Sequence, residues 1–379
     1  MCTNTAPWRI VGVGAVTAAV AAHCPVRPSR RPGGAARAQR RGRPRRWCTG
    51  GEVWLALGAS EHTTVLEEFF KAVAYQVKPY LNVVHHGLHL EMLQRGILGC
   101  ARPDELAVLA GGPVLIANMT GFRVVPSCGV PELSVPSVRV YVHPPAEDHI
   151  VSKGLLETGS WAHAGNERTR RSIIGLMMQL LAAGGSFMDI GANIGTFSLP
   201  LLAAGYPGML FEASPHNAWR LRASVCAIGP LANAAATIVA PVALGNGSAG
   251  TACMREAKTA NAGAMSVATT KSGQCDGYEV PSAQLDNVFF SGKEDGMATC
   301  ANLVALKIDV ESHELEVFRG ADRVLRQCRP RHIFIEGGRK TAAVKLLIHT
   351  YGYRIRGTYE RGHDTHLVLR GVNDCWSKR

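Results

Sequence analysis

Residues 187–196 read Phe-Met-Asp-Ile-Gly-Ala-Asn-Ile-Gly-Thr, and this stretch constrains the fold more than any other. An apolar run, Phe187 to Ile190, carries one Asp and breaks into a loop holding Gly191 and Gly195. Apolar residues resume at Phe197, Leu199, Leu201 and Leu202. The pattern is strand, tight glycine turn, helix. Such a unit points backbone N–H groups at a ligand and lets it approach the chain closely. The spacing is Asp-x-Gly-x-x-x-Gly, whereas a dinucleotide-binding turn reads Gly-x-Gly-x-x-Gly.

A second apolar run, Met209 to Phe211, ends in Glu212, seventeen residues after Gly195. In nucleoside-binding α/β folds an acidic residue ending the second strand hydrogen-bonds the ribose hydroxyls. The plain alternative is a surface glutamate at a strand end. S-adenosylmethionine has no pyrophosphate, and it suits a loop that passes under its methionine and ribose parts with a carboxylate near its cationic end. Further on, Leu303 to Ile308 reads as a buried strand that ends in Asp309, Val310 and Glu311. A helix from Ser312 to about Gly320 follows. Parallel α/β sheets bind ligands beyond the carboxyl ends of their strands, which is where Asp309 and Glu311 fall. Carboxylates are costly there unless solvated or paired, so a functional role is one reading. The other is a pair of acids that favour a helix N-terminus.

These motifs together resemble the FkbM-type methyltransferases, over about Asp148 to Arg370. The resemblance rests on Asp189-Ile-Gly-Ala-Asn-Ile-Gly195, on Phe211-Glu-Ala-Ser-Pro215 with Asn217, and on Ala243-Leu-Gly245. It continues through Leu285-Asp286, Lys307-Ile-Asp-Val-Glu311 with Glu314 and Leu315, Gly320-Ala321 and Phe334-Ile-Glu336. It implies a class I methyltransferase that uses S-adenosylmethionine, typically on hydroxyl oxygens of sugars, polyketides or related small molecules. Asp189, Gly191, Asn193, Gly195 and Glu212 are the implied cofactor-binding positions. Ser312 stands where the family usually has glycine. Serine can cap the following helix instead, which would alter the turn there.

Composition narrows the partners. The net charge of +12 is unevenly spread, because residues 1–50 carry ten Arg with no Lys or acid. The body is nearly neutral, so a specific nucleic-acid groove is not expected. Ile10 to Ala22 is an uncharged run of thirteen residues, shorter than the ~17–25 that cross a bilayer. With the Arg-, Pro- and Gly-rich stretch after it, this resembles an organellar import segment more than a secretory signal. A weak membrane anchor through residues 10–22 is the rival. The eleven cysteines are odd in number and lack any Cys-x-x-Cys pair. That pattern argues against a zinc module or a disulfide framework and predicts mostly reduced thiols.

The expected organisation is a disordered basic segment over 1–51, a helical and short-strand extension over 52–135, and a methyltransferase domain over 136–379. Residues 53–110 keep helical spacing, as in Val65, Leu66, Phe69, Phe70 and Val73. Short strands are expected over 114–143 and a helix over 173–181. Alternating strands and helices then predict an α/β, Rossmann-like fold, its sheet mostly parallel with a terminal antiparallel pair. The core helix after the fourth strand is expected over 312–327, and Pro281 to Phe290 as a turn and short helix. Residues 245–275 read as irregular and are expected to line the acceptor pocket.

Methyl transfer from a sulfonium is an in-line displacement, and alignment of the acceptor can lower the barrier by as much as ~7–11 kcal/mol. A hydroxyl acceptor also loses a proton, and a positioned base contributes typically ~10²–10⁴-fold. Asp309 is the first candidate for base or orienter and Glu311 the second, with His313 behind them. Asp309, Glu311 and Glu336 are ligand types suited to Mg²⁺. Their sequence positions do not show that they converge, and no metal is expected. Two rival functions remain open: a catalytically inactive relative that only binds, and a nicotinamide-dependent oxidoreductase, which would want the missing Gly-x-Gly-x-x-Gly.

Overall fold

The computed structural model describes residues 114–372, together with two short strands near residue 50. Within that span it omits 230–231, 233–235, 240, 248–249, 256–259, 269–274, 276, 291–299, 301 and 360–362. Strands β1 (Arg46–Thr49) and β2 (Glu52–Leu55) pair antiparallel on either side of the expected boundary at residue 51. The helical segment expected over 53–110 instead begins in strand β2, and the rest of it, like the apolar run at 10–22, lies outside the described residues. Among the described residues no helix is long and apolar enough to cross a membrane.

Four leading strands follow, β3 (Leu115–Met119), β4 (Phe122–Val124), β5 (Leu133–Val135) and β6 (Val138–Val142). They pair antiparallel as β3 with β6 and β4 with β5. Helix α1 (Ser152–Thr158) comes next. Helix α2 (Ala164–Leu181) begins well before the expected Ile173, because Glu167, Arg170 and Arg171 tie its polar first turns together.

The central unit is β7 (Ser186–Ile190), α3 (Ser198–Ala203), β8 (Gly208–Phe211), α4 (Pro215–Ile228) and β9 (Ala236–Val239). Helix α4 starts where the sequence punctuates it. The Ser214 hydroxyl accepts from the Asn217 N–H at 3.3 Å and Pro215 takes the first helical position. Four strands then form a small separate sheet: β10 (Ala243–Leu244), β11 (Gly250–Arg255), β12 (Ser266–Ala268) and β13 (Tyr278–Ala283), in the order β10-β13-β11-β12. The stretch read as irregular therefore contains two antiparallel strands, and Pro281 lies in a third. Gly, Ala, Ser and Thr hide the alternation that marks a strand, and the ladder rather than the side chains defines these elements.

Helix α5 (Leu285–Phe289) precedes β14 (Leu303–Ile308) and α6 (Glu314–Arg319). The helix expected over 312–327 is interrupted. The Asp286 carboxylate accepts the N–H groups of Arg323 and Val324 at 2.8 and 2.9 Å, and a π-helical turn, Val324–Cys328, completes the segment. Then come β15 (His332–Glu336), α7 (Ala342–Thr350), β16 (Tyr353–Tyr359) and β17 (Asp364–Leu369).

The main sheet runs β16-β17-β15-β14-β7-β8-β9. Strands β15, β14, β7, β8 and β9 are parallel, and β16 and β17 add the antiparallel pair. The chain winds outward from β7 through β8 to β9, then returns to place β14 on the other side of β7. The carboxyl ends of β7 and β14 therefore flank the point where winding reverses, the usual ligand crevice of such a sheet. Both faces are covered. Phe187, Leu210 and Ala305 pack with Ile174, Leu199 and Leu202 on one side; Met188, Ile190 and Leu306 pack with Val317, Phe318 and Val344 on the other. Each such buried Val, Leu, Ile, Phe or Met side chain contributes roughly 1.5–3 kcal/mol. At the far edge two imidazoles are buried against each other, His332 Nδ1 lying 3.1 Å from His366 Nε2, and His366 stacks on Phe334 at 4.3 Å.

The cysteines depart from expectation. Cys253 is bonded to Cys275 and Cys300 to Cys328, and Cys128 and Cys226 are in disulfides too. An odd count and the lack of Cys-x-x-Cys speak only about local spacing, whereas these bridges join cysteines 22 and 28 residues apart that the fold brings together.

Candidate active site

The glycine loop joins β7 to α3 at the crevice. Gly191 and Ala192 both donate their N–H to the Phe211 carbonyl, at 3.0 and 2.9 Å, which closes the loop over the end of β8. Gly191 has φ +78°, and a Cβ there would lie 1.8 Å from the Asp309 carbonyl oxygen. The backbone of the next strand's end thus packs directly on it, and only glycine fits. Asn193 is also left-handed, at φ +53°, and turns its N–H to Glu212 Oε2 at 2.7 Å. Gly195 closes the turn against Leu199 and Leu221.

Glu212 ends β8 with both oxygens engaged, Oε1 accepting from the Ser214 N–H at 2.8 Å. Burial pushes its carboxyl up to about 7, against those two backbone donors. The Asn217 side chain donates to it as well, and Glu212 lines a cavity of about 190 Å³ with Gly191, Ala192, Asn193, Phe197 and Asn217.

Asp189 sits elsewhere. Strand alternation puts it on the same face as Phe187, beneath the loop, 1% exposed and outside the cavity wall. The Ser198 hydroxyl donates to one of its oxygens, and Lys307 Nζ lies 3.5 Å from the other. Lys307 is its register partner on β14. The same ammonium is 3.3 Å from Asp309 Oδ2, donates to the Gly191 carbonyl at 3.3 Å and lies 4.7 Å from the centre of the Phe197 ring. Burial works against the Lys307 charge, but Asp189 and Asp309 outweigh it and hold the ammonium above its ordinary value. Burial keeps Asp189 above the usual carboxylate range even so.

Asp309, Glu311 and Glu336 come together at the ends of β14 and β15, each placing one carboxylate oxygen within 4.8 Å of the others. This is a set of hard oxygen donors on the scale a divalent cation takes. Burial opposes the Asp309 charge, yet Lys307 and a hydrogen bond from Glu336 hold its carboxyl below the ordinary value. Burial, then Asp309, push Glu336 up to about 10, so it keeps the proton it shares. Glu311 rises to about 7 through burial and the neighbouring Asp309 and Glu314.

Glu311 and Ser312 are both left-handed, at φ +51° and +74°. Ser312 therefore adopts a glycine-like backbone and does not cap α6, whose preceding residue is His313 with no side-chain cap. Glu314 holds the turn instead, its Oε1 accepting from the N–H groups of Val310 and Ser312 at 3.2 and 3.3 Å. His313 lines the Glu212 cavity, and burial lowers its pKa.

A second cavity of about 210 Å³ adjoins the first, with Tyr359, His363 and Asp364 on its outer side. The two share a wall made of Trp161, Asn166, Phe197, Lys307, Asp309 and Glu336. The Trp161 and Phe197 rings meet edge to face at 5.8 Å. Sequence reasoning gave no role to Lys307, Trp161 or Phe197. For Lys307 the signal was there, a lone cation inside an apolar strand. The segment expected to line an acceptor pocket contributes Met254, Asn261, Gly263, Met265 and Val267 to the Glu212 cavity.

Residues 189–355 match the model of the methyltransferase FkbM domain. No curated protein matches the chain. Among solved structures it is similar to the crystal structure of magnesium protoporphyrin IX methyltransferase (ChlM) from Synechocystis PCC 6803 with bound SAM. That similarity is 14% in sequence, covers 54% of this chain and 80% of the other, and has a TM-score of 0.29, which carries no argument about the site. The glycine loop, the acid ending the second strand and the carboxylates beyond the fourth all fall within 189–355, the residues that match the methyltransferase FkbM domain.

Proposed function

We propose that the protein transfers a methyl group from S-adenosylmethionine to a hydroxyl oxygen of a small molecule or glycan. The observation that carries this reading is the shared wall, which sets two cavities side by side with Asp309 between them. The cavity at Glu212 suits the donor. Its carboxylate can accept from ribose hydroxyls, and the crevice carries excess negative charge suited to a sulfonium and an ammonium. The bound donor supplies an activated methyl group, so the residues here need only align the acceptor and manage its proton. Asp309 is the group to take that proton, since Lys307 keeps it ionised and Glu336 donates to it. Glu311 stands beside it as a second carboxylate. Phe197 and Trp161 hold the partition between donor and acceptor.

The test is calorimetric titration with S-adenosylhomocysteine, beside transfer of a labelled methyl group to a panel of monosaccharides and small alcohols. Glu212→Ala should weaken binding by ~1.5–3 kcal/mol. Asp309→Asn should bind nearly as wild type while transfer falls by ~10² or more. Unchanged affinity in the first variant removes Glu212 from the donor site. Loss of binding in the second makes Asp309 a donor ligand rather than a base.

A further inference from the structure

Two aromatic rings stand in the wall between the cavities, and one buried ion pair holds the backbone beside each of them. Glu167 and Arg170 lie in the first turns of α2, outside the residues that match the methyltransferase domain. Arg170 is 1% exposed, and its guanidinium grips the Glu167 carboxylate with two parallel bonds, Nε to Oε2 at 2.8 Å and Nη2 to Oε1 at 2.7 Å. The third nitrogen, Nη1, donates to the Thr196 carbonyl at 3.3 Å and to Met119 Sδ at 3.2 Å. Glu167 Oε2 also accepts the Trp161 N–H at 3.2 Å, and Oε1 accepts from Arg171 Nε at 2.6 Å. Burial opposes the Glu167 charge, but the two arginines outweigh it and hold its carboxyl below the ordinary value.

Thr196 ends the glycine loop and Phe197 follows it directly. The pair therefore holds Trp161 through its own amide and Phe197 through the carbonyl before it. These are the rings that meet edge to face in the shared wall. On its other side the Trp161 segment is anchored by the Ala162 N–H, which donates to the Ile150 carbonyl at 3.0 Å. The indole adds no polar anchor of its own, for among the described residues its buried Nε1–H has no hydrogen-bond acceptor. Helix α2 also supplies Asn166, Thr169 and Ile173 to the cavity beside Tyr359. A buried ion pair gains little net stability over apolar side chains of the same volume. What the planar fork adds is direction, because it fits its partners in one arrangement.

We propose that Glu167 and Arg170 are positioning residues for methyl transfer, which set the Trp161–Phe197 partition across which donor and acceptor meet. The proposal rests on the reading that the two cavities hold those two ligands. A shifted partition leaves both ligands bound but out of line, and a misplacement of about 1 Å can cost on the order of 10² in rate.

The experiment compares the full chain with its Arg170→Lys variant, both labelled with 5-fluorotryptophan, the Trp161 resonance being assigned with Trp161→Phe. Lysine keeps the charge but loses the fork that spans Glu167 and the Thr196 carbonyl. The expected result is a Trp161 fluorine resonance displaced or broadened in the folded, ligand-free variant. Transfer of a labelled methyl group to the acceptor that the wild type uses should fall ~10²-fold per folded molecule, and S-adenosylhomocysteine affinity far less. Val344→Ala, a core change on the opposite face of the sheet, controls for stability: it should lower the melting midpoint and leave the resonance and turnover in place. If Arg170→Lys does not fold, as judged by circular dichroism, Glu167→Gln is read in the same way. A folded variant that matches the wild type in resonance and turnover overturns the proposal, as does an equal displacement of the resonance in Val344→Ala. With both readouts in hand, movement of only one also overturns it. If the wild type methylates no acceptor in the panel, the transfer reading fails, and the resonance alone decides whether the pair positions the partition.

Discussion

Lys307→Met should cost this protein about 4 kcal/mol, and the deficit should depend on pH. The Lys307 ammonium lies 3.5 Å from one carboxylate and 3.3 Å from another, and its side chain is 7% exposed. Methionine keeps the length of the side chain and its place against Phe197 but removes the charge. Asp189, 2% exposed on its side chain, then keeps only Ser198 as a partner. Removing one member of a buried ion pair costs about 3–5 kcal/mol, because the other charge stays behind uncompensated. Asp309, with its side chain 33% exposed, adds less because water screens it. Burial already holds Asp189 above the unfolded value of about 3.9, and loss of Lys307 raises it further. The folded variant then binds more protons than the unfolded chain, so its stability falls as pH rises through the raised folded pKa values. The deficit should therefore be largest near neutrality and shrink towards about pH 4.5. Urea denaturation followed by tryptophan fluorescence at both pH values measures it. Asp189→Asn in the Lys307→Met background should recover half or more of the loss. A deficit below about 1 kcal/mol, or one equal at both pH values, would refute the reasoning and leave packing as the cause.

Ser312→Gly should stabilise the fold by about 1 kcal/mol, since φ +74° costs a serine and not a glycine; a lower denaturation midpoint would mean that the hydroxyl matters more than the backbone. Gly191→Ala should cost about 3 kcal/mol and abolish S-adenosylhomocysteine binding, because its Cβ would meet the Asp309 carbonyl; near-wild-type melting would show that the loop can move aside. With burial holding Glu212 up to about 7, affinity for S-adenosylhomocysteine should rise between about pH 6 and pH 8 as the carboxylate ionises. Glu212→Gln should flatten that profile, and an unaltered slope would assign it to another group.

The sequence announced the parallel core because each of its strands carries a period, a length and a punctuation mark. Phe187 to Ile190, Leu303 to Ile308 and His332 to Glu336 all lie within a residue or two of where their apolar runs put them. The Ser214-Pro215 cap and the glycine loop were equally legible, since both depend on local chemistry. What stayed hidden depends on distant partners. The helix after β14 breaks because Asp286, far off in the chain, takes the N–H groups of Arg323 and Val324. Strands β11 and β12 are too poor in large apolar residues to show alternation. The disulfides needed the fold to bring their halves together. In the site, Asp309 and Glu311 could be placed at a strand end, but their meeting with Glu336 required the β14–β15 register. Lys307 is the instructive omission: an apolar strand that buries a cation also buries its counter-charge, and Asp189 was the acid to look for.

The buried pair His332 and His366 gives the protein an acid limit of its own. Burial lowers His332 to about 4 and holds His366 well below the ordinary imidazole value, so both are neutral in the folded sheet. Unfolded, each would take up a proton near pH 6.5. Below that pH the unfolded chain binds more protons, and stability declines as the medium acidifies towards the depressed folded values. The loss from His332 alone is on the order of 3 kcal/mol, a large share of what a domain has to spare. Acid would therefore weaken the fold through two imidazoles that join β15 to β17, a limit set by the sheet itself and separate from the titration of the crevice carboxylates.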